Sequence, residues 1–191
     1  MPLRLAGIDL SASSKHRTGI AVVEGRRGAW RVVHLSEEAY SDHDIKELIL
    51  GFNPAVTAVD APLTKPSRGG FRDVEAMVLR LGARLLPLTL KPMVMLAERG
   101  VRVRELLSPY TIVVETHPSS VLRVAGCSIR VLSGLLGLRN VREPLGRDER
   151  DALVAALVAV GFAEGVAVSV GGRDGWFALL RPGICRRGSH A

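Results

Sequence analysis

Leu3-Arg4-Leu5-Ala6-Gly7-Ile8-Asp9-Leu10 is a short apolar run with one acid near its end, and it reads as a buried strand. Downstream, Gly19–Glu24 and Ala29–Leu35 flank Gly25-Arg26-Arg27-Gly28, two β-rich runs around a glycine-bounded turn, hence a hairpin. Asp42–Phe52 places Ile45, Leu48, Ile49 and Phe52 at helical spacing, and Asn53-Pro54 stops it. Ala55–Asp60 is a fourth strand, again ending in an acid, followed by a Pro- and Gly-containing loop over 61–70. Phe71–Gly82 is expected to be helical, as is most of Pro92–Leu107. Thr111–Glu115 is a further acid-ended strand, and Pro118 opens a short helix, since proline suits the first helical position. Residues 126–146 read as irregular, and Asp148–Ala163 is the clearest helix. Val166–Val170 and Trp176–Leu180 fit either late strands or helical ends, and the tail from 181 to 191 reads as frayed. This order predicts one α/β domain over 1–191: a mixed sheet flanked by helices, with a helical insertion at about 66–108 after the fourth strand.

Composition narrows the function. The 191 residues are 47% hydrophobic and 24% charged, which suits a folded chain with its own core. Basic residues outnumber acids by 26 to 19, so the net charge of +7 favours a polyanionic partner, nucleic acid (DNA or RNA) first. Between Arg80 and Arg104 lie six basic residues and one acid, Glu98, which fits either a solvated helix face or a phosphate-contacting flap. Aromatic residues make up 4%, which argues against a single-strand binder built on base stacking; Trp30 and Trp176 read as packing residues. Cys127 and Cys185 are too few for a disulfide scaffold, although one bridge is possible. The longest charge-free apolar run, Ala152–Ala163, falls short of the ~20 residues a membrane span needs, and no signal-like segment opens the chain. A soluble, cytoplasmic protein with no membrane partner is expected.

Three apolar strands end in carboxylates: Asp9, Asp60 and Glu115. One such acid is usually a turn residue, but three at the carboxyl ends of neighbouring parallel strands would converge where α/β sheets place their sites. Asp151 opens a helix that is apolar almost all round, with Asp148 and Glu149 in reserve; the helix dipole alone could also account for these acids. Clustered carboxylates repel unless a cation lies between them, and hard divalent ions, Mg²⁺ or Mn²⁺, prefer oxygen ligands. Acids at the centre and Arg and Lys at the periphery are what phosphodiester hydrolysis would use.

The stretches GIDLSASSKHRTGIAVVE, AVDAPLTKP, FRDVEAMVLRLGARLLPLTLKPMVMLAERG, VVETHPSSVLR and RDERDALVAALVA cover most of residues 5 to 165. In their order and spacing the chain resembles the family called domain of unknown function 429, described as predicted nucleases with a ribonuclease-H-like fold. The resemblance implies a ribonuclease-H-like sheet and a catalytic, metal-binding set of Asp9, Asp60, Glu115 and Asp151 holding Mg²⁺ or Mn²⁺. Candidate substrate-binding residues are Lys15 and Arg17 after the first strand, Lys65, Arg68 and Arg72 after Asp60, and His117, which also suits capping the helix at Pro118. The leading expectation is a metal-dependent nuclease. A non-catalytic nucleic-acid-binding or interaction module on the same scaffold is the alternative. An actin-like nucleotide-binding domain is less compatible, since by resemblance it needs two such domains and a longer chain, and no Gly-Lys-Ser phosphate loop is present.

Overall fold

Gly7 and Gly19 decide how the layers meet. A Cβ at Gly7 would lie 2.1 Å from the Ala156 nitrogen and 2.2 Å from the Ala152 oxygen, and one at Gly19 would lie 2.0 Å from the Asp148 oxygen. Only residues without a side chain let a helix lie this close to two strands. The computed structural model describes residues 2–65, 72–142 and 145–185. In chain order it contains β1 (Leu3–Asp9), β2 (Arg17–Arg26), β3 (Ala29–Ala39), α1 (Asp42–Phe52), β4 (Val56–Asp60), α2 (Asp73–Arg80), α3 (Lys91–Leu107), β5 (Ile112–Thr116), α4 (Pro118–Ala125), α5 (Ile129–Leu135), β6 (Leu138–Arg139), α6 (Arg147–Glu164), β7 (Ala167–Gly172) and β8 (Gly175–Leu180).

The described strands form one eight-stranded mixed sheet, ordered β6-β3-β2-β1-β4-β5-β8-β7. β1 pairs antiparallel with β2 and parallel with β4, and β4 pairs parallel with β5. This is the expected α/β architecture, with α2 and α3 inserted after the fourth strand. One face packs Leu5, Ala21, Val23 and Ala58 against the apolar length of α6, where Ala152–Val160 are all fully buried. The other packs Ile8, Ile20, Val22 and Val59 against α1 and α3 through Ile45, Ile49, Val103 and Leu107. That is why α6 reads as apolar all round: β1, β2 and β4 cover one side and α4 and α5 another.

Helix α1 spans the residues its periodicity predicts. The Ser41 hydroxyl accepts from the Asp44 N–H, the Asp44 carboxylate accepts from the Ser41 N–H, and Asn53 ends the helix in the left-handed conformation.

Elsewhere the structure differs from the sequence reading. The segment expected to be irregular, 126–146, holds helix α5, opened by the Ser128 hydroxyl, and strand β6. Gly134 and Gly137 broke the periodicity that would have shown it. The two ambiguous late segments form the β7–β8 hairpin. Helix α6 begins at Arg147, one residue before the Asp148 start read from the sequence, with Gly146 as its cap and Asp148 in its first turn. Residues 181–185, expected to fray, are tied down. The Arg181 N–H donates to the Val166 carbonyl and the Gly183 N–H to the Val124 carbonyl, and Cys185 is disulfide-bonded to Cys127. Trp30 is buried as expected, but Trp176 is 70% exposed, lying over Gly171 on the hairpin. Among the described residues no helix is long and apolar enough to cross a membrane.

Candidate carboxylate site

β1 and β4 run side by side into the same end of the sheet, and Asp9 and Asp60 are register partners there. Neighbouring strands lie about 4.8 Å apart, so two carboxylates leave the sheet from adjacent points on one face. Gly19 on β2 is level with Asp9, and its missing side chain admits the first turn of α6. Asp148 and Asp151 thereby come close enough to act electrostatically on Asp9.

The electrostatics follow from this crowding. Burial, then the Asp151 and Asp148 charges, push the Asp9 carboxyl up to about 7, while Arg147 and Arg150 oppose. Burial and the charges of Asp9, Asp151 and Glu115 push Asp60 well above the usual carboxylate range. No hydrogen bond enters the balance for either group. Two crowded carboxylates without a compensating donor form an oxygen donor set for a hard cation. Asp151 is partly engaged, since the Arg150 guanidinium donates to it at 3.1 Å. Among the described residues no group of three His, Cys, Asp or Glu side chains is gathered tightly enough to hold a metal ion. The protein thus offers an adjacent pair with a third carboxylate facing it, rather than a closed cage. Mg²⁺ is usually held in this way, by one or two carboxylates completed by water and substrate phosphate.

Glu115 occupies a different position. β5 runs Ile112–Thr116, so Thr116 is level with Asp60, whereas Glu115 is level with Val59 and leaves the strand on the other face. Its carboxylate accepts from Arg72 Nη1 at 2.9 Å, from Arg72 Nη2, and from the Leu63 N–H at 2.8 Å. Arg72 also binds Glu75 at 3.0 Å and the Thr64 hydroxyl at 2.8 Å. Burial pushes the Glu115 carboxyl up, against the pull of Arg72. The Arg72 side chain is 0% exposed, so this arginine, expected to meet substrate, is instead the internal partner of Glu115 and Glu75. Its role is to pin the loop after Asp60 onto β5. We predict that Arg72→Met lowers stability by about 3–5 kcal/mol, because it strands buried Glu115. Urea unfolding at neutral pH checks this, and a loss below about 1 kcal/mol would contradict it.

The remaining candidates are dispersed. His117 lines a cavity of about 150 Å³ together with Asp9, Asp60, Glu115, Leu86, Met93 and Phe177. Burial holds its imidazole below the ordinary histidine range, and its Nδ1 is 2.8 Å from the Ser120 hydroxyl, within the helix it precedes. Lys15 is exposed in the loop after β1. Arg17 pairs with Glu37 at 2.7 Å, and Lys65 lies 3.8 Å from Glu98. Arg68 lies outside the described residues.

One device escaped the sequence reading. Arg99, counted there among the flap cations, is 1% exposed. It donates to the Ser11 carbonyl and hydroxyl at 2.9 and 2.8 Å, to the Tyr40 carbonyl at 2.6 Å and to Asp42 at 2.7 Å. It therefore fixes the start of the Ser-rich loop two residues beyond Asp9. Arg99 and Ser11 are 88 positions apart in sequence, so no local pattern signals it.

No protein-family model and no curated protein matches the sequence. Among solved structures the chain is similar to T. thermophilus RuvC in complex with a Holliday junction substrate. The TM-score is 0.54 at 18% identity, over 85% of this chain and 96% of that one. With this likeness and the order of its central strands, the chain has a ribonuclease-H-like fold: a mixed sheet flanked by helices.

Proposed function

We propose that the protein is a metal-dependent nuclease that hydrolyses phosphodiester bonds of a nucleic acid. The observation that carries this reading is the register pairing of Asp9 with Asp60 at the ends of β1 and β4, crowded by Asp151 and without a hydrogen-bond donor. The ribonuclease-H-like fold and the net charge of +7 support it, as does the resemblance to the domain of unknown function 429 family.

Asp9 and Asp60 would hold Mg²⁺ or Mn²⁺, with Asp151 on α6 adding its negative charge beside them. When bound, the ion would polarise the phosphoryl oxygen and make water acidic enough to attack at neutral pH. The protein's own contribution is placement. The sheet holds Asp9 and Asp60 on rigid strand ends, and Gly7 and Gly19 bring α6 and its acids onto them. Arg99 fixes the start of the loop that carries exposed Lys15, a cation that would meet a flanking phosphate. The neutral His117 imidazole borders the same cavity and can accept a proton or orient phosphate. Glu115 contributes through Arg72 and the Leu63 N–H, by holding the loop that follows Asp60.

The test is a cleavage screen with labelled duplex DNA, single-stranded RNA, an RNA–DNA hybrid and a four-way junction, in Mn²⁺ and in EDTA. Cleavage of at least one substrate in Mn²⁺ and none in EDTA is expected. Binding without cleavage of any would favour the non-catalytic module.

A further inference from the structure

The geometry points to a second nucleic-acid contact: an arginine-lined cleft at the end of the sheet opposite Asp9, built to take a phosphodiester backbone. This inference rests on the substrate being a nucleic acid. The cleft encloses about 1000 Å³ between the start of β1, the β2–β3 turn, β6 and the end of α6, and Arg26, Arg27, Arg31 and Arg139 line it. Leu3 borders it, and β1 runs from there to Asp9, six residues at about 3.3 Å each, so the two sites lie roughly 20 Å apart.

Its charge is net positive: among the described residues four arginines line it against two carboxylates, Glu24 and Glu164. Glu24 holds Arg4 at 2.8 Å and Arg31 at 2.7 Å. Glu164 accepts from the Gly28 N–H at 2.8 Å and from Trp30 Nε1 at 2.7 Å. Among the described residues no carboxylate pairs with Arg26, Arg27 or Arg139. Arg31 and Arg139 are register partners on adjacent parallel strands, so the Arg31–Glu24 pair and the Arg139 guanidinium rise from neighbouring points of the sheet.

Hydrogen bonds tie the backbone around the cleft together. Glu164 clamps the tight Arg27-Gly28 turn to the end of α6, and the Trp30 N–H donates to the Gly137 carbonyl at 3.0 Å, locking β6 against β3. A side chain at Gly137 would lie 2.1 Å from the Gly28 carbonyl, so this contact is built on glycine. The arginines' planar guanidinium groups match phosphate geometry, and the backbone that carries them is tied in place.

The experiment measures binding of a fluorescent 40-base-pair DNA duplex and of an RNA of equal length across a range of KCl concentrations. It compares wild type with the Arg26→Gln/Arg27→Gln/Arg139→Gln variant. Removal of three phosphate contacts should flatten the slope of log K against log salt by about 2.7 for the duplex and weaken binding about tenfold or more at physiological salt. Mn²⁺ binding at the carboxylates should be unchanged, which also reports an intact fold. A variant with wild-type affinity and slope for both probes would overturn the cleft and leave the nuclease reading standing. A wild-type protein that binds neither probe at any salt would overturn both.

Discussion

On the proposed function, Asp9→Asn is expected to abolish cleavage and at the same time to stabilise the metal-free protein. Losing a ligand of the ion removes several kcal/mol of transition-state stabilisation, so turnover should fall about 10³-fold or more. The stability gain comes from the same crowding. An Asp9 carboxyl pushed from 3.8 to about 7 binds its proton more tightly in the folded chain than in the unfolded one. Between about pH 4 and pH 7 the folded state therefore carries more protons, and stability falls as pH rises through that window. Above pH 7 the full cost of ionising Asp9 is present, and an uncharged Asn does not incur it. The expected result is a Tm several degrees above wild type at pH 8 in EDTA, shrinking towards zero near pH 4. Saturating Mn²⁺ should narrow the gap at pH 8 by stabilising wild type alone. Thermal scans at the two pH values check this. An Asn variant less stable than wild type at pH 8 would mean that the carboxylate is held by a partner rather than strained.

Gly7→Ala should be among the most damaging single changes of one methyl group in this chain. The new Cβ would sit 2.1 Å from the Ala156 nitrogen, 2.2 Å from the Ala152 oxygen and 2.8 Å from the Ala155 carbonyl carbon. All three are backbone atoms of α6, so no rotamer change relieves the overlap, and the helix has to leave the sheet. A loss of about 3 kcal/mol or more is expected. Displacing α6 also carries Asp148 and Asp151 away from Asp9, so residual folded protein should bind Mn²⁺ more weakly. Gly51→Ala is the control. It lies in α1, exposed, with nothing within 4 Å of the added carbon, and should be neutral or stabilising by up to about 1 kcal/mol. Urea unfolding of the pair separates the two explanations. Equal effects would mean that helix α6 is not seated on Gly7.

What the sequence made legible is local. An apolar run ending in an acid marks β1 and β4, and helical spacing bounded by Ser41 and Asn53 marks α1. Even the site pairing was within reach, because strands with equivalent ends in a parallel sheet place equivalent residues side by side. The position of Glu115 shows the limit: β5 ends at Thr116, one residue later than read, so Glu115 leaves the strand on the face opposite Asp60 while lining the same cavity. Arg72, the partner that fixes its environment, comes from a loop 43 residues away. Burial and pairing of this kind depend on tertiary contacts and leave no periodic trace, as Arg99 and Ser11 also show. Glycine spoke twice, and the sequence alone does not separate the meanings. Gly134 and Gly137 sit around α5 and β6 and looked like loop, whereas Gly7 and Gly19 are the seats of α6.

The most direct measurement is calorimetric titration of Mn²⁺ into wild type and into Asp9→Asn/Asp60→Asn, with and without a non-cleavable phosphorothioate oligonucleotide. The carboxylate pairing predicts binding to wild type, tightened by the oligonucleotide, and its loss in the double variant while the circular dichroism spectrum stays unchanged. Equal Mn²⁺ binding by wild type and the folded double variant, or none by wild type even with the oligonucleotide, would contradict a metal site at Asp9 and Asp60.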